Sequence, residues 1–167
     1  MVEIIEFLKD MFKYIIIIAV IVLIRVYILT TTEIVGDSMN PGLKDADILL
    51  VDQITKRFKE YNRFDIIVFE QKSSYLTKRV IGLPGEKIKY IDGKLYVDNQ
   101  LVEEPFKING STSDIEEIVV PKNSYYVLGD NRINSKDSRS YGPIEDKRII
   151  GKSFFRIWPI KKMQTVK

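Results

Sequence analysis

Ser38 stands in the stretch Gly36-Asp37-Ser38-Met39-Asn40, which nearly spells the G-x-S-x-G turn that presents a nucleophilic serine. The chain contains no histidine and no cysteine. A Ser-His-Asp triad, an imidazole base, a thiolate nucleophile and the usual zinc sites are thereby excluded. A nucleophilic Ser38 must give its proton to Asp, Glu or Lys. A carboxylate near its ordinary pKa is too weak a base for this. A lysine is strong enough once burial among apolar groups lowers its pKa from about 10.4 toward 7–8, at a cost of about 3–4 kcal/mol that the fold must offset.

Most of the lysines sit among other charges or at turns. Lys78, in SYLTKRVIGLPGEKI, is flanked by Tyr75, Leu76, Val80 and Ile81, ahead of a sharp turn at Gly82-Leu83-Pro84-Gly85. Strand alternation puts Lys78 on one face with Leu76 and Val80 and points Arg79 the other way. If the Lys78 face is inward, Arg79 is the solvated cation. Spacing alone leaves open the commoner case of a lysine with its amine in water. A third segment, LGDNRINSKDSRSYGP over residues 128–143, gathers Asp130, Asn131, Arg132, Asn134, Ser135, Asp137, Ser138 and Arg139 directly after an apolar strand. A polar loop is its plain reading. Mixed acids and arginines are also what orients the groups of a site.

The elements that must position these residues fall into two parts. Tyr14 to Leu29 reads YIIIIAVIVLIRVYIL, broken only by Arg25. As a helix it rises about 24 Å, short of the roughly 30 Å hydrocarbon core. Apolar residues at helical spacing upstream extend it to near Glu3, and Arg25 can snorkel to the head groups. The flanks do not suit a cleaved signal peptide: the first residues are not net basic, and the exit reads TTTEIV. The expectation is a cytoplasmic segment over 1–13, an uncleaved membrane anchor over 14–30 and an extracytoplasmic domain over 31–167. Lys9 and Lys13 before the span favour the N-terminus inside.

After residue 30 the pattern is strand-like and predicts a mainly β domain of many short strands, in one or two lobes. DILLVDQI and FDIIVFEQ are apolar runs of strand length, and Asp92-Gly93 between alternating segments marks a tight hairpin. Residues 107–117, polar and Gly/Ser-containing, are expected to form an exposed excursion. Net charge is only +3, from 26 basic and 23 acidic residues, too mild an excess for a nucleic-acid surface.

The anchor ending in IRVYIL, then GDSMNPGL, FDIIVF, KRVIGLPGE, YVDNQLVEEPF, GDNRINSKDSR and the terminal WP, in that order through essentially the whole chain, resemble a bacterial type I signal peptidase. This is the membrane-bound family that cuts signal peptides from exported preproteins, here in the short single-anchor form typical of Gram-positive bacteria. The resemblance implies a β-rich peptidase fold behind one N-terminal transmembrane helix, in the plasma membrane. It implies Ser38 as nucleophile and Lys78 as general base, with Ser135 hydrogen-bonded to the lysine amine and an Asp137–Arg139 ion pair in support. Preprotein signal peptides and the lipid bilayer are the implied partners, with no cofactor, metal or nucleic acid.

Two positions depart from the family. Some members carry a serine or threonine two residues before the nucleophile, whose hydroxyl helps hold the oxyanion. Gly36 stands there, so the oxyanion hole is expected to rest on backbone N–H groups, chiefly that of Ser38. Phe64 stands where the family usually has glycine, which bears on the geometry of that turn.

Cleavage after small residues, as in A-x-A, needs shallow apolar pockets, for which Ile34, Gly36, Met39, Leu43 and Leu76 are the candidates. Glu33 to Gly36 could pair with substrate as an added strand. SFFRIWPI reads as a final core strand, or as a segment that sets Trp158 in the membrane interface. A self-cleaving repressor-type protease shares the Ser-Lys logic and a β-rich fold, but its upstream cleavage site is replaced here by the apolar segment. Penicillin-recognising enzymes need S-x-x-K, which is absent. A membrane-tethered binding module that has lost activity is the remaining alternative, weighed against by intact Ser38, Lys78 and Ser135.

Overall fold

The computed structural model describes residues 2–54 and 60–166. One long helix, α1 (Val2–Tyr27), leads into twelve strands. These are β1 (Leu29–Glu33), β2 (Ile48–Asp52), β3 (Ile66–Gln71), β4 (Ser74–Gly82), β5 (Lys87–Ile91), β6 (Lys94–Val97), β7 (Gln100–Val102), β8 (Ile115–Val119), β9 (Ser124–Leu128), β10 (Ile144–Glu145), β11 (Ile149–Trp158) and β12 (Gln164–Thr165). A one-turn helix, α2 (Ser138–Tyr141), follows β9. The mainly β expectation holds, and the domain has two sheets.

The larger sheet has eight strands in the order β1-β2-β11-β3-β4-β9-β10, with β12 on β11; the smaller runs β7-β6-β5-β8. Every strand pair is antiparallel. The sheet segment that leads to Ser38 (β1-β2) and the one that carries Lys78 (β3-β4) are joined through β11, which pairs with β2 on one side and β3 on the other. Asp92 and Gly93 both take positive φ, 49° and 74°, in the two-residue hairpin between β5 and β6, as their sequence foretold.

Both faces of β4 and β9 are covered, which decides the fate of every second residue. Val80 and Val127 pack with Ile67, Phe69, Tyr125, Ile144 and Ile149 on one face. Ile81, Tyr126 and Leu128 pack with Ile88, Tyr90, Leu95 and Val97 of the smaller sheet on the other. The solvated Arg79 expected from alternation is therefore corrected: Arg79 is 2% exposed, because the second face meets the smaller sheet and Phe106 rather than water. The excursion over 107–117 is corrected in part. Asn109 forms a parallel bridge with Asn131, Thr112 is buried, and β8 begins at Ile115.

The helix expected as the anchor forms, over Val2–Tyr27, but its crossing of a membrane is not shown. No helix among the described residues is long and apolar enough to cross a membrane. Lys9, Asp10 and Lys13 precede the apolar run and Arg25 ends it, so the unbroken stretch from Tyr14 to Ile24 rises only about 16 Å. Leu29 and Thr30, placed in the anchor above, belong to β1, where they pair with Asp52 and Val51. The Arg25 side chain lies outside the described residues. Every described side chain from Ile4 to Leu23 is exposed.

Candidate active site

Ser38 sits on the turn that follows β1. Ile34 N–H donates to the Asp47 carbonyl (2.8 Å) and Ala46 N–H to the Ile34 carbonyl (2.9 Å), pinning the two stems of this loop together. Gly36 N–H donates to Asp45 Oδ1 at 2.6 Å, with Gly36 at φ 78°, a left-handed conformation that glycine adopts freely. Ile34, Met39 and Leu43 turn inward into a small core with Leu49, Ile66 and Val166, which fixes the turn from below. Buried Asp47 takes the Lys44 N–H (2.9 Å) and the Arg156 guanidinium (2.7 Å), tying the loop to β11.

Lys78 reaches this turn from β4, opposite Ile67 of β3. Its Nζ lies 2.7 Å from Ser38 Oγ and donates to the Thr77 carbonyl at 3.0 Å. The residue is 2% exposed. Loss of water lowers its pKa from 10.5 to about 8, against the opposing pull of Asp137 and Asp130. Holding the charged form there costs about 3 kcal/mol. The arrangement has what a serine nucleophile without histidine requires: a hydroxyl in contact with an amine that is substantially neutral near pH 8.

The 128–143 segment wraps behind the pair. Asp137 is fully buried, caps α2 through the Arg139 N–H, and accepts from Gly129 N–H at 3.0 Å. The Arg139 guanidinium grips it with two bonds of 2.8 Å and donates onward to the Arg132 carbonyl at 2.7 Å. Burial alone would raise the Asp137 pKa; Arg139 and the Gly129 N–H outweigh it and hold the carboxyl below its usual range. The expected Asp137–Arg139 pair is thus present. The expected bond from Ser135 to the lysine amine is not. Ser135 Oγ is buried with no hydrogen-bond partner, close enough to Asp137 to favour its charge but without bonding geometry. It packs against Gly129, where any Cβ would overlap both Ser135 and the Ser38 carbonyl.

The Ser38 N–H, the oxyanion donor foreseen, makes no hydrogen bond within the described residues. Gly36 has no atom within 4 Å of where a Cβ would stand, so position 36 leaves room for substrate but offers no hydroxyl. Beside the pair runs a cleft of about 600 Å³ lined by Thr31 to Val35, Ser38, Met39 and Ser73 to Lys78. Its two walls are strand edges with no partner among the described residues: β1 ends the sheet, and β4 pairs with β9 only from Arg79 onward. Ile34, Met39 and Leu76 line the cleft as expected. Gly36 and Leu43 do not; Leu43 is core.

Thr31, Thr32 and Tyr75 were not foreseen at the site, whereas Val35 lay in the Glu33–Gly36 segment expected to pair with substrate and Asn131 and Arg132 in the segment expected to orient the groups of the site. Thr31, Thr32, Val35 and Tyr75 line the cleft, and the last two remain 86% and 68% exposed. Asn131 and Arg132 hold loops around Ser38 to the smaller sheet, Arg132 through Glu104, Thr112 and the Tyr90 hydroxyl. A run of polar residues marked this segment without saying which of them faces the turn. Phe64 has φ 72°, a left-handed backbone that glycine adopts more freely. Its ring is held by Phe106 at 5.4 Å, edge to face. No cluster of acidic side chains among the described residues is placed to hold a metal ion.

The family model described as signal peptidase, peptidase S26, matches residues 5–158. The chain is 44% identical over 135 residues to signal peptidase I V of Bacillus subtilis (strain 168), across 71% of this chain and 80% of that one. It is 36% identical over 162 residues to signal peptidase I of Bacillus caldolyticus, across 87% and 88% of the two chains. Among solved structures, the crystal structure of a signal peptidase I from Enterococcus faecalis V583 matches with a TM-score of 0.50 at 33% identity, covering 56% of this chain and 97% of that one.

Proposed function

Because this chain belongs to the signal peptidase family, peptidase S26, a family of serine peptidases, we propose that it removes signal peptides from exported preproteins by a Ser38–Lys78 dyad, cutting after small residues of the A-x-A kind. The observation that carries this reading is the 2.7 Å contact between Ser38 Oγ and an amine buried enough to be about half neutral near pH 8.

In this mechanism neutral Lys78 accepts the Ser38 proton as Oγ attacks the scissile carbonyl. The tetrahedral oxyanion takes the Ser38 N–H, and its collapse to the acyl-enzyme sends the proton to the leaving amine. Water, deprotonated by the same lysine, then releases the acyl group. The substrate lies as an extended strand between the open edges of β1 and β4, with its backbone paired to both and its small side chains against Ile34, Met39 and Leu76. Wide side chains would meet these buried walls. The exposed apolar surface of α1 finds cover in lipid, which holds the enzyme at the membrane with its β domain on the extracytoplasmic side, where preproteins emerge.

The test is cleavage of an A-x-A preprotein in detergent by wild type, Ser38→Ala and Lys78→Met, with the new N-terminus read by mass spectrometry. Cutting directly after A-x-A by wild type alone is the expected result. Cleavage by Ser38→Ala, or an intact preprotein beside folded wild type, sinks the reading.

A further inference from the structure

With no hydroxyl at position 36, the oxyanion depends on the Ser38 N–H, and that bond points wherever the 37–38 peptide plane points. The same plane carries the Asp37 carbonyl. That carbonyl accepts the local turn bond from Asn40 N–H at 3.1 Å and a second bond, at 3.0 Å, from the side-chain Nδ2 of Asn131. Asn131 also donates its backbone N–H to the Ser38 carbonyl at 3.1 Å. One residue of the distant 128–143 segment thus holds the carbonyls on both sides of the nucleophile.

We propose that Asn131 is a positioning residue that fixes the 37–38 peptide plane and so aims the Ser38 N–H at the oxyanion. The proposal rests on Ser38 being the nucleophile. Asn131 is itself fully engaged. Its Oδ1 accepts from Asn109 Nδ2 at 3.1 Å, and its carbonyl accepts from Asn134 N–H at 3.2 Å. Asn109 is clamped in turn, donating to the Asp130 carbonyl and accepting from Arg132 N–H, both at 2.9 Å. Only an amide meets both demands on the side chain, a donor toward Asp37 and an acceptor toward Asn109. An aspartate has no donor and brings a charged oxygen against a carbonyl. A bond into a peptide carbonyl also polarises that peptide, which makes its N–H a stronger donor. The Asn131 side chain is 5% exposed, so water does not readily replace it.

The experiment compares full-length wild type, Asn131→Ala, Asn131→Asp and Asn109→Ala in detergent on an A-x-A preprotein. Removing an oxyanion donor outright costs roughly 10²–10³ in kcat, so misaiming one is expected to cost about 10- to 100-fold in both Asn131 variants, with KM within about twofold. Asn109→Ala is expected to cost about threefold, since it loosens the amide without removing it. A substrate-like peptide aldehyde, whose adduct with Ser38 forms the oxyanion, should lose affinity in step with kcat. The matching peptide alcohol, which forms none, should keep its affinity.

The proposal is overturned if kcat of the Asn131 variants stays within about twofold of wild type, or if aldehyde and alcohol weaken equally, the signature of a merely structural role. If Asn131→Ala does not fold, Asn131→Asp and Asn109→Ala carry the test, and undiminished kcat in both overturns it. Ser38→Ala runs alongside. Its inactivity beside fully active Asn131 variants sinks only this proposal, whereas its activity sinks the dyad.

Discussion

Lys78 and Arg79 are consecutive cations on one strand, each 2% exposed, and their surroundings are opposite. Arg79 meets a buried carboxylate bidentately, Nε to Asp130 Oδ1 at 2.8 Å and Nη2 to Oδ2 at 2.7 Å. Its third nitrogen donates to the Phe64 carbonyl, and its guanidinium lies 3.9 Å from the centre of the Phe106 ring. Lys78 has a hydroxyl, a carbonyl and no ion pair among the described residues. Asp137 and Asp130 act on it from a distance and lose to desolvation. Burial with a matched anion makes a rigid tie between β4 and the segment after β9; burial without one leaves an amine whose pKa is lowered, as the proposed role of Lys78 requires. The strand's alternation delivers one cation to each face, and the partner waiting there decides which kind it becomes.

Replacing each cation by an isosteric apolar residue should separate the two roles. Lys78→Met is expected to lower kcat by at least about 10³-fold, judged by loss of an essential proton acceptor. Its thermal midpoint should be unchanged or higher, since up to about 3 kcal/mol of desolvation disappears. Arg79→Met should instead destabilise by about 3–5 kcal/mol, because it strands the Asp130 carboxylate in the interior. Denaturant unfolding in detergent reads both. A Lys78→Met protein that loses stability as Arg79→Met does would erase the distinction.

A finer measurement follows pH. With a folded pKa of about 8, the neutral fraction of Lys78 grows and kcat/KM rises with pH until it levels above about 8. Stability moves the same way. Between about 8 and 10.5 the unfolded lysine is still protonated and the folded one is not, so the unfolded state binds more protons and stability rises with pH over that window. Below 8 the penalty is fully present. Lys78→Met should lose this slope and Arg79→Met should keep it, which pH-dependent unfolding checks.

The smallest effect belongs to Ser135. Its hydroxyl makes no hydrogen bond to lose and only favours the Asp137 charge from nearby, so Ser135→Ala should alter stability by no more than about 1 kcal/mol and activity by only a few-fold. A loss of 10³-fold, matching Lys78→Met, would show that Ser135 binds the amine during turnover in a way the resting structure lacks.

Composition narrowed the partners open to Ser38 and spacing left the Lys78 amine open to water; the resemblance implied the pair, and the structure sets the amine 2.7 Å from the Ser38 hydroxyl. Asp137 with Arg139 was implied by the resemblance alone; the structure adds that their spacing of two lets the carboxylate cap the helix its partner sits in. Arg79 was misjudged because alternation distinguishes the two faces of a strand but not whether the second is covered. That depended on Phe106 and the smaller sheet, far off in sequence. Leu43 and Gly36 failed as pocket residues for a similar reason, since a loop has no period to say which side chains turn inward. Thr31 and Thr32 were passed over because they directly follow the anchor boundary drawn at residue 30, where hydropathy does not show that β1 has already begun at Leu29.

The place of β11 has a consequence for when the enzyme comes into being. The half of the sheet leading to Ser38 and the half carrying Lys78 are bridged by a strand made long after both, and the segment that holds Ser38 by its carbonyls also arrives late. During synthesis the emerging chain therefore carries a serine and a lysine that have not met. On the proposed function the newly made chain passes through its earliest moments inert, because the strand that joins the two halves of the sheet also brings Ser38 and Lys78 together.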